Sequence, residues 1–252
     1  MEVRGDERRS ILKLSPIPNI TLNDGNTIPQ LGFGVFQIAP RDTAQAVSKA
    51  LEIGYRHIDT AEMYGNEKGV GEAIRASGLE RGEVFVTSKL NNGFHRPDDA
   101  RKAFSTTLSE LGFDYLDLFL IHWPLPTLYG GDFVSTWKML EEFYRDGRAR
   151  SIGVSNFQIE HLQPLAAETD LVPSVNQIEV HPISPTRLYG PTAGSTGSLL
   201  RHGRRLRRAR CSATPLLRNW LPKWARRRRR SCCAGTSSVA TLCSRSRRPL
   251  RG

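Results

Sequence analysis

The sequence predicts an α/β protein: an incomplete (β/α)8 TIM barrel of about six strands and five helices, preceded by a β-hairpin and followed by a basic tail. Three observations lead there. Short apolar runs alternate strictly with amphipathic stretches, which implies parallel strands joined by crossover helices. No G-x-G-x-x-G follows the first of these strands, which weakens a doubly wound reading. Polar residues recur where the strands end, at Asp59, Lys89, His122, Ser155, Asn156 and Gln177. In a barrel such ends share one mouth. Periodicity alone fits either a barrel or a doubly wound sheet.

The elements follow in order. ITLNDGNTIPQLG reads as a hairpin in which Asp24-Gly25 or Asn26 supplies the turn. LGFGVFQI is a strand, and DTAQAVSKALEIG a helix ended by Gly54. The pairs that follow are HIDTA with NEKGVGEAIRASG, VFVTSKL with RPDDARKAFSTTLSELG, and YLDLFLIHW with FVSTWKMLEEFYRDG. SIGVSNF with QIEHLQPLAAET comes next, and SVNQIEV is the sixth strand.

Composition divides the chain. The 36 Lys and Arg fall 18 before and 18 after residue 182, whereas all 25 Asp and Glu fall before it, the last being Glu179. The first part therefore carries −7 and the tail +18, and the overall +11 describes neither. All four cysteines (Cys211, Cys232, Cys233, Cys243) are in the tail. They lack a spaced Cys-x-x-Cys pair, so no metal is expected, and an oxidised framework does not suit the cytoplasmic location expected here. No apolar run approaches the roughly 20 residues of a membrane span, and the first fifteen residues lack a signal-peptide core. The domains expected are an N-terminal extension (1–16), the partial barrel (17–182) and an Arg-rich, disordered or poorly packed tail (183–252).

Asp59, Tyr64, Lys89 and His122 suggest a proton-transfer site. A tyrosine titrates near pH 10, too high for an efficient acid at neutral pH, and a neighbouring ammonium lowers that value. Lys89 is placed to do this, Asp59 to hold Lys89 charged, and His122 to orient a carbonyl or share the proton. Each has a plainer reading by itself. Tyr64 is then a surface or core tyrosine, Lys89 a solvated cation, Asp59 a turn or cap, and His122-Trp123 strand-end packing. Ser155-Asn156 is then a helix N-cap pair.

Taken in order, HIDTAEMYGNE, VTSKL, LFLIHWP, GVSNF and NQIEVHP resemble the aldo-keto reductase family, in particular its bacterial diketogluconate-reductase-like members. The resemblance covers about residues 17–182. It implies a (β/α)8 barrel binding NADPH across its mouth and reducing a small carbonyl substrate, with the protein a monomer. It carries Asp59, Tyr64, Lys89 and His122 onto the catalytic tetrad. Ser155, Asn156 and Gln177 match the side chains that hold the nicotinamide carboxamide, and Phe36 and Trp123, with His122, match the substrate pocket.

From Ile183 the family pattern stops. Shifted by one base class, the codons permit FPNAAVRAYSREHGIATEAWSPLAQGT up to Arg210, then VLSDPVVAELAAEVGTTPAQVVLRWHLQ, and PKS near Arg245. EAWSPL, PAQVVLRW and PKS resemble the family's missing segments in the right order. The expectation is a frameshift near codons 182–184, or a sequencing error there, leaving a truncated and poorly soluble remnant. Two rival readings concern nucleic acid. In one the chain is a nucleic-acid-binding protein, RHGRRLRRAR and ARRRRR contacting phosphates and Trp220 and Trp224 stacking on bases; in the other the same charge binds polyanions adventitiously, without design.

Overall fold

The computed structural model describes residues 17–179. The N-terminal extension and the Arg-rich tail, with the frameshift, cysteine and nucleic-acid readings placed on the tail, lie outside the described residues.

Strands β1 (Ile20–Thr21) and β2 (Thr27–Ile28) pair antiparallel as the expected hairpin. Asp24, Gly25 and Asn26 all shape its connection. Gly25 takes a left-handed φ of 93°, and Asn26 N–H donates to Asp24 Oδ1 at 2.9 Å.

Six parallel strands follow: β3 (Phe33–Gly34), β4 (His57–Asp59), β5 (Phe85–Leu90), β6 (Leu116–Ile121), β7 (Ala149–Ser155) and β8 (Asn176–Gln177). Their order in the sheet is their order in the chain, and the sheet is curled. That order decides between the two readings left open above. A doubly wound sheet reverses its order at a switch point, whereas a barrel keeps adding strands on one side. The crossover helices are α1 (Pro40–Glu52), α2 (Glu67–Ala76), α3 (Pro97–Leu111), α4 (Phe133–Arg145) and α5 (Ile159–Glu168).

The expected first strand, residues 31–38, shrinks to Phe33–Gly34. Gln37 takes a left-handed φ of 63°, which ends extended chain, and Pro40 opens α1 at a first-turn position where a missing N–H costs nothing. The sixth expected strand is likewise only Asn176–Gln177.

β6 is buried along its whole length, which explains its apolar run over residues 118–121, while Asp117, the charge within the strand, is paired with Arg81 at 2.8 Å. Phe119 and Ile121 join the helix-side core with Phe104, Trp137 and Phe143. Leu118 and Leu120 pack inside the curl against Leu22 and Ile28 of the hairpin and Val175. The hairpin thus closes the end of the strands opposite the mouth. Helices α2 and α3 approach so closely that a Cβ on Gly71 would lie 1.9 Å from the Leu111 carbonyl oxygen, so only glycine fits there. Among the described residues no helix is long and apolar enough to cross a membrane.

Candidate active site

Parallel strands deliver their C-terminal ends to one side, and the chemistry-bearing residues gather there. Asp59 ends β4, Lys89 stands one residue before the end of β5, His122 directly follows β6, Ser155 ends β7 and Gln177 ends β8. Tyr64 closes a 3-10 turn (Glu62–Tyr64) after β4, and Gly65 then reverses the chain with a left-handed φ of 64°.

Lys89 is 1% exposed, so it is not a solvated cation. Its Nζ donates to Asp59 Oδ1 at 2.6 Å and to the Thr60 carbonyl at 2.8 Å. An ammonium this deep is tolerable only with an anion and well-made hydrogen bonds, and it has both. The other Asp59 oxygen accepts from Gln177 Nε2 at 2.7 Å, which ties β4 to β8 across the inside of the curl. Asp59 is therefore neither a turn residue nor a helix cap.

Tyr64 lies over this pair, with Lys89 Nζ 5.3 Å from its ring centre. His122 meets the ring edge-on at 5.8 Å, and Phe36 packs against it at 5.0 Å. Burial raises the Tyr64 hydroxyl above its usual range, Lys89 pulls it down, and Asp59 pushes it up. The expectation that Lys89 lowers this group holds for the direction of its own effect but not for the net result. Removing the phenol from water costs the phenolate more than the neutralised ammonium returns. His122 is held down to about 4, first by burial and then by Lys89, so its imidazole is neutral at pH 7. Its Nδ1 is buried with no partner among the described residues.

Ser155 Oγ donates to the Gln177 carbonyl at 3.0 Å. Asn156, at a left-handed φ of 62°, donates through Nδ2 to the His122 carbonyl and to Ser155 Oγ, both at 3.1 Å. The N-cap reading of this pair fails, because α5 begins later, with Gln158 at its N-cap. The hydroxyl and two amides form a mixed donor and acceptor set of the kind a carboxamide needs. Trp123 and Phe36 are exposed at the same mouth.

Asn66 is a site residue that sequence reasoning passed over as a helix start. Its Nδ2 donates to the Val35 and Ile38 carbonyls at 3.0 and 3.2 Å, and its Oδ1 accepts from Thr60 Oγ1 at 3.0 Å. It fastens the segment carrying Phe36 to the strand end carrying Asp59. Its place at the α2 N-cap, directly after Gly65, was the available signal.

A cavity of about 800 Å³ lies at the opposite end of the strands, beside the hairpin. Its charged groups are already engaged: Arg150 with Asp117 at 3.6 Å, and Arg56 with the Leu51 and Tyr55 carbonyls.

The profile of the Aldo/keto reductase family matches residues 30–189. This chain belongs to that family. An aldo-keto reductase of Mycobacterium sp. (strain KMS) is 52% identical over 170 residues, 68% of this chain and 61% of the relative. Methylglyoxal reductase DkgA of Escherichia coli (strain K12) is 47% identical over 168 residues, 67% of this chain and 60% of the relative. A crystal structure of a Bombyx mori aldo-keto reductase in complex with NADP superposes with a TM-score of 0.64 at 40% identity, covering 69% of this chain and 62% of that one. This aldo-keto reductase chain thus spans about three-fifths of the curated relatives it matches.

Proposed function

We propose that the chain is built to reduce aldehydes or ketones to alcohols with NADPH, Tyr64 acting as the general acid. The observation that carries this is the buried Asp59–Lys89 pair beneath Tyr64, with neutral His122 at the ring edge. NADPH, when bound, supplies the hydride, which no side chain has. Tyr64 gives its proton to the carbonyl oxygen as that oxygen gains charge, and Lys89 stabilises the phenolate left behind. Asp59 keeps Lys89 charged. His122, neutral at pH 7, offers a ring nitrogen that orients the carbonyl without adding charge. Ser155, Asn156 and Gln177 would hold the carboxamide end of the cofactor, exchanging the partners they have among themselves. Phe36 and Trp123 supply apolar walls. The name of the Escherichia coli relative points to small carbonyls such as methylglyoxal as the first substrates to try.

The test is NADPH consumption with a generic aldehyde by the 252-residue chain beside its Tyr64→Phe variant. Turnover that vanishes in the variant supports the reading. Turnover that survives it removes Tyr64 from the acid role.

A second reading has its own observation. The residues after Ile183 become EAWSPL, PAQVVLRW and PKS when read in the shifted frame, and an acid-free run of 18 cations stands in their place. On this reading the chain is an inactive remnant whose tail binds polyanions. In the family the segment resembling AWSPL stacks on the nicotinamide, and the loop around PKS grips the adenosine phosphate. NADPH binding should then be weak. Sequencing the gene across codons 182–184 and finding the frame intact, with no hidden reading, disposes of it.

A further inference from the structure

Two loops border the mouth. Residues 91–96 leave β5 just after Lys89, and residues 122–132 leave β6 at His122 and carry Trp123. The second loop is conformationally demanding. Leu125 and Tyr129 both take left-handed φ values, 47° and 53°, and Gly130 and Gly131 follow at 65° and 77°. Non-glycine residues hold such angles only where their surroundings enforce them. Inside the loop the bonds are short-range: Leu128 N–H to the Leu125 carbonyl at 3.0 Å, and Gly131 N–H to the Leu128 carbonyl at 2.8 Å. These shape the loop but do not anchor it.

The strand end of the loop is held at His122 by Asn156, and the tie across to the loop after β5 is one side chain. Tyr129 donates its hydroxyl proton to the Asn92 carbonyl at 2.9 Å. Its ring stacks on His95, with centroids 5.3 Å apart and planes within 7°. His95 is itself fixed, being 3% exposed, with its carbonyl accepting from Thr136 Oγ1 of α4 at 2.9 Å.

We infer that Tyr129 is a positioning residue that latches the Trp123 loop onto the loop following Lys89 and so sets the shape of the substrate wall. The latch itself stands on the geometry, and its consequence for substrate choice rests on the proposed carbonyl reduction. Without Tyr129 the hydrogen bonds among the described residues of 124–131 are internal to the loop, and Leu128, 53% exposed, and Trp123, 45% exposed on the strand side of buried Pro124, lose that tie to the neighbouring loop.

Hydrogen exchange of the amides of Leu125 and residues 127–131 in the full chain tests the latch without needing activity. Tyr129→Ala should speed it about tenfold. Tyr129→Phe keeps the stack and loses only the hydroxyl bond, so it should fall between. Unchanged exchange in Tyr129→Ala overturns the latch. For the wall, the ratio of kcat/KM for a bulky aldehyde to that for a small one should shift severalfold in Tyr129→Ala, while kcat for the small one stays near that of the parent. An unmoved ratio overturns the positioning role. If the parent chain has no turnover, acrylamide quenching of Trp123, taken by difference against Trp123→Phe, replaces kinetics. Greater quenching in Tyr129→Ala upholds the inference, and equal quenching overturns it.

Discussion

Ser88 and Lys89 are neighbours in β5, and each serves a buried acid on a different face of the strand. Lys89 turns into the mouth and pairs with Asp59. Ser88 donates to Glu67 of α2 at 2.5 Å, and Thr107 of α3 donates to the other Glu67 oxygen at 3.2 Å. Asp59 has a cation, whereas among the described residues Glu67 has only hydroxyls. Burial therefore lifts Glu67 to about 7 against those two hydrogen bonds. The same strand builds a charged site on one side and a nearly neutral joint between helices and sheet on the other. The difference is whether an ammonium lies within reach.

Breaking the charged side should have the largest effect. Lys89→Met leaves Asp59 buried with Gln177 as its remaining side-chain partner among the described residues, and should cost about 3–5 kcal/mol in denaturant unfolding. A loss under about 1 kcal/mol would mean that the pair is not closed to water.

On the neutral side, Glu67→Gln should be stabilising at alkaline pH, on the order of 1–3 kcal/mol. The folded protein prefers the protonated carboxyl. Its contribution is therefore fully present below the unfolded value near 4.5 and is lost as pH rises through about 7. Unfolding at pH 5 and pH 8.5 should show the gain only at the higher value.

Acid should act in the opposite sense through three histidines. His57, His95 and His122 are each held down to about 4, chiefly by burial. Depressed values favour the neutral rings in the folded protein. Their contribution is present above the unfolded value of 6.5 and drains away as pH falls through about 4. Three such groups outweigh the single Glu67, so the denaturation midpoint should drop steadily from pH 7 to pH 4. A flat profile would argue that these rings are hydrated.

The smallest effect concerns an exposed acid. Asp132 caps α4 by accepting from Ser135 N–H at 2.8 Å, and the Ser135 hydroxyl first, then that N–H, holds its carboxyl below the usual range. Asp132→Ala should cost about 1 kcal/mol, read from the same unfolding curves, against the larger changes at the two buried acids.

Much of this is legible in the sequence alone. The alternation of short apolar runs with amphipathic stretches gives the parallel elements, because a pleat repeats every two residues and a helix turn every 3.6. The ordered segments HIDTAEMYGNE, VTSKL and LFLIHWP point to Asp59, Tyr64, Lys89 and His122, because chemistry sits where parallel strands end. Other features were hidden in the chain. Sheet order was one, since barrel and doubly wound topologies share the same local pattern and differ only in which strand lies beside which. The net effect on Tyr64 was another, because burial competes with Lys89 and burial is a property of the assembled mouth. Partners such as Gln177 for Asp59, Ser88 for Glu67 and Tyr129 for Asn92 stand 118, 21 and 37 residues apart. A hydrogen bond over such a distance along the chain exists only once packing has brought both ends together.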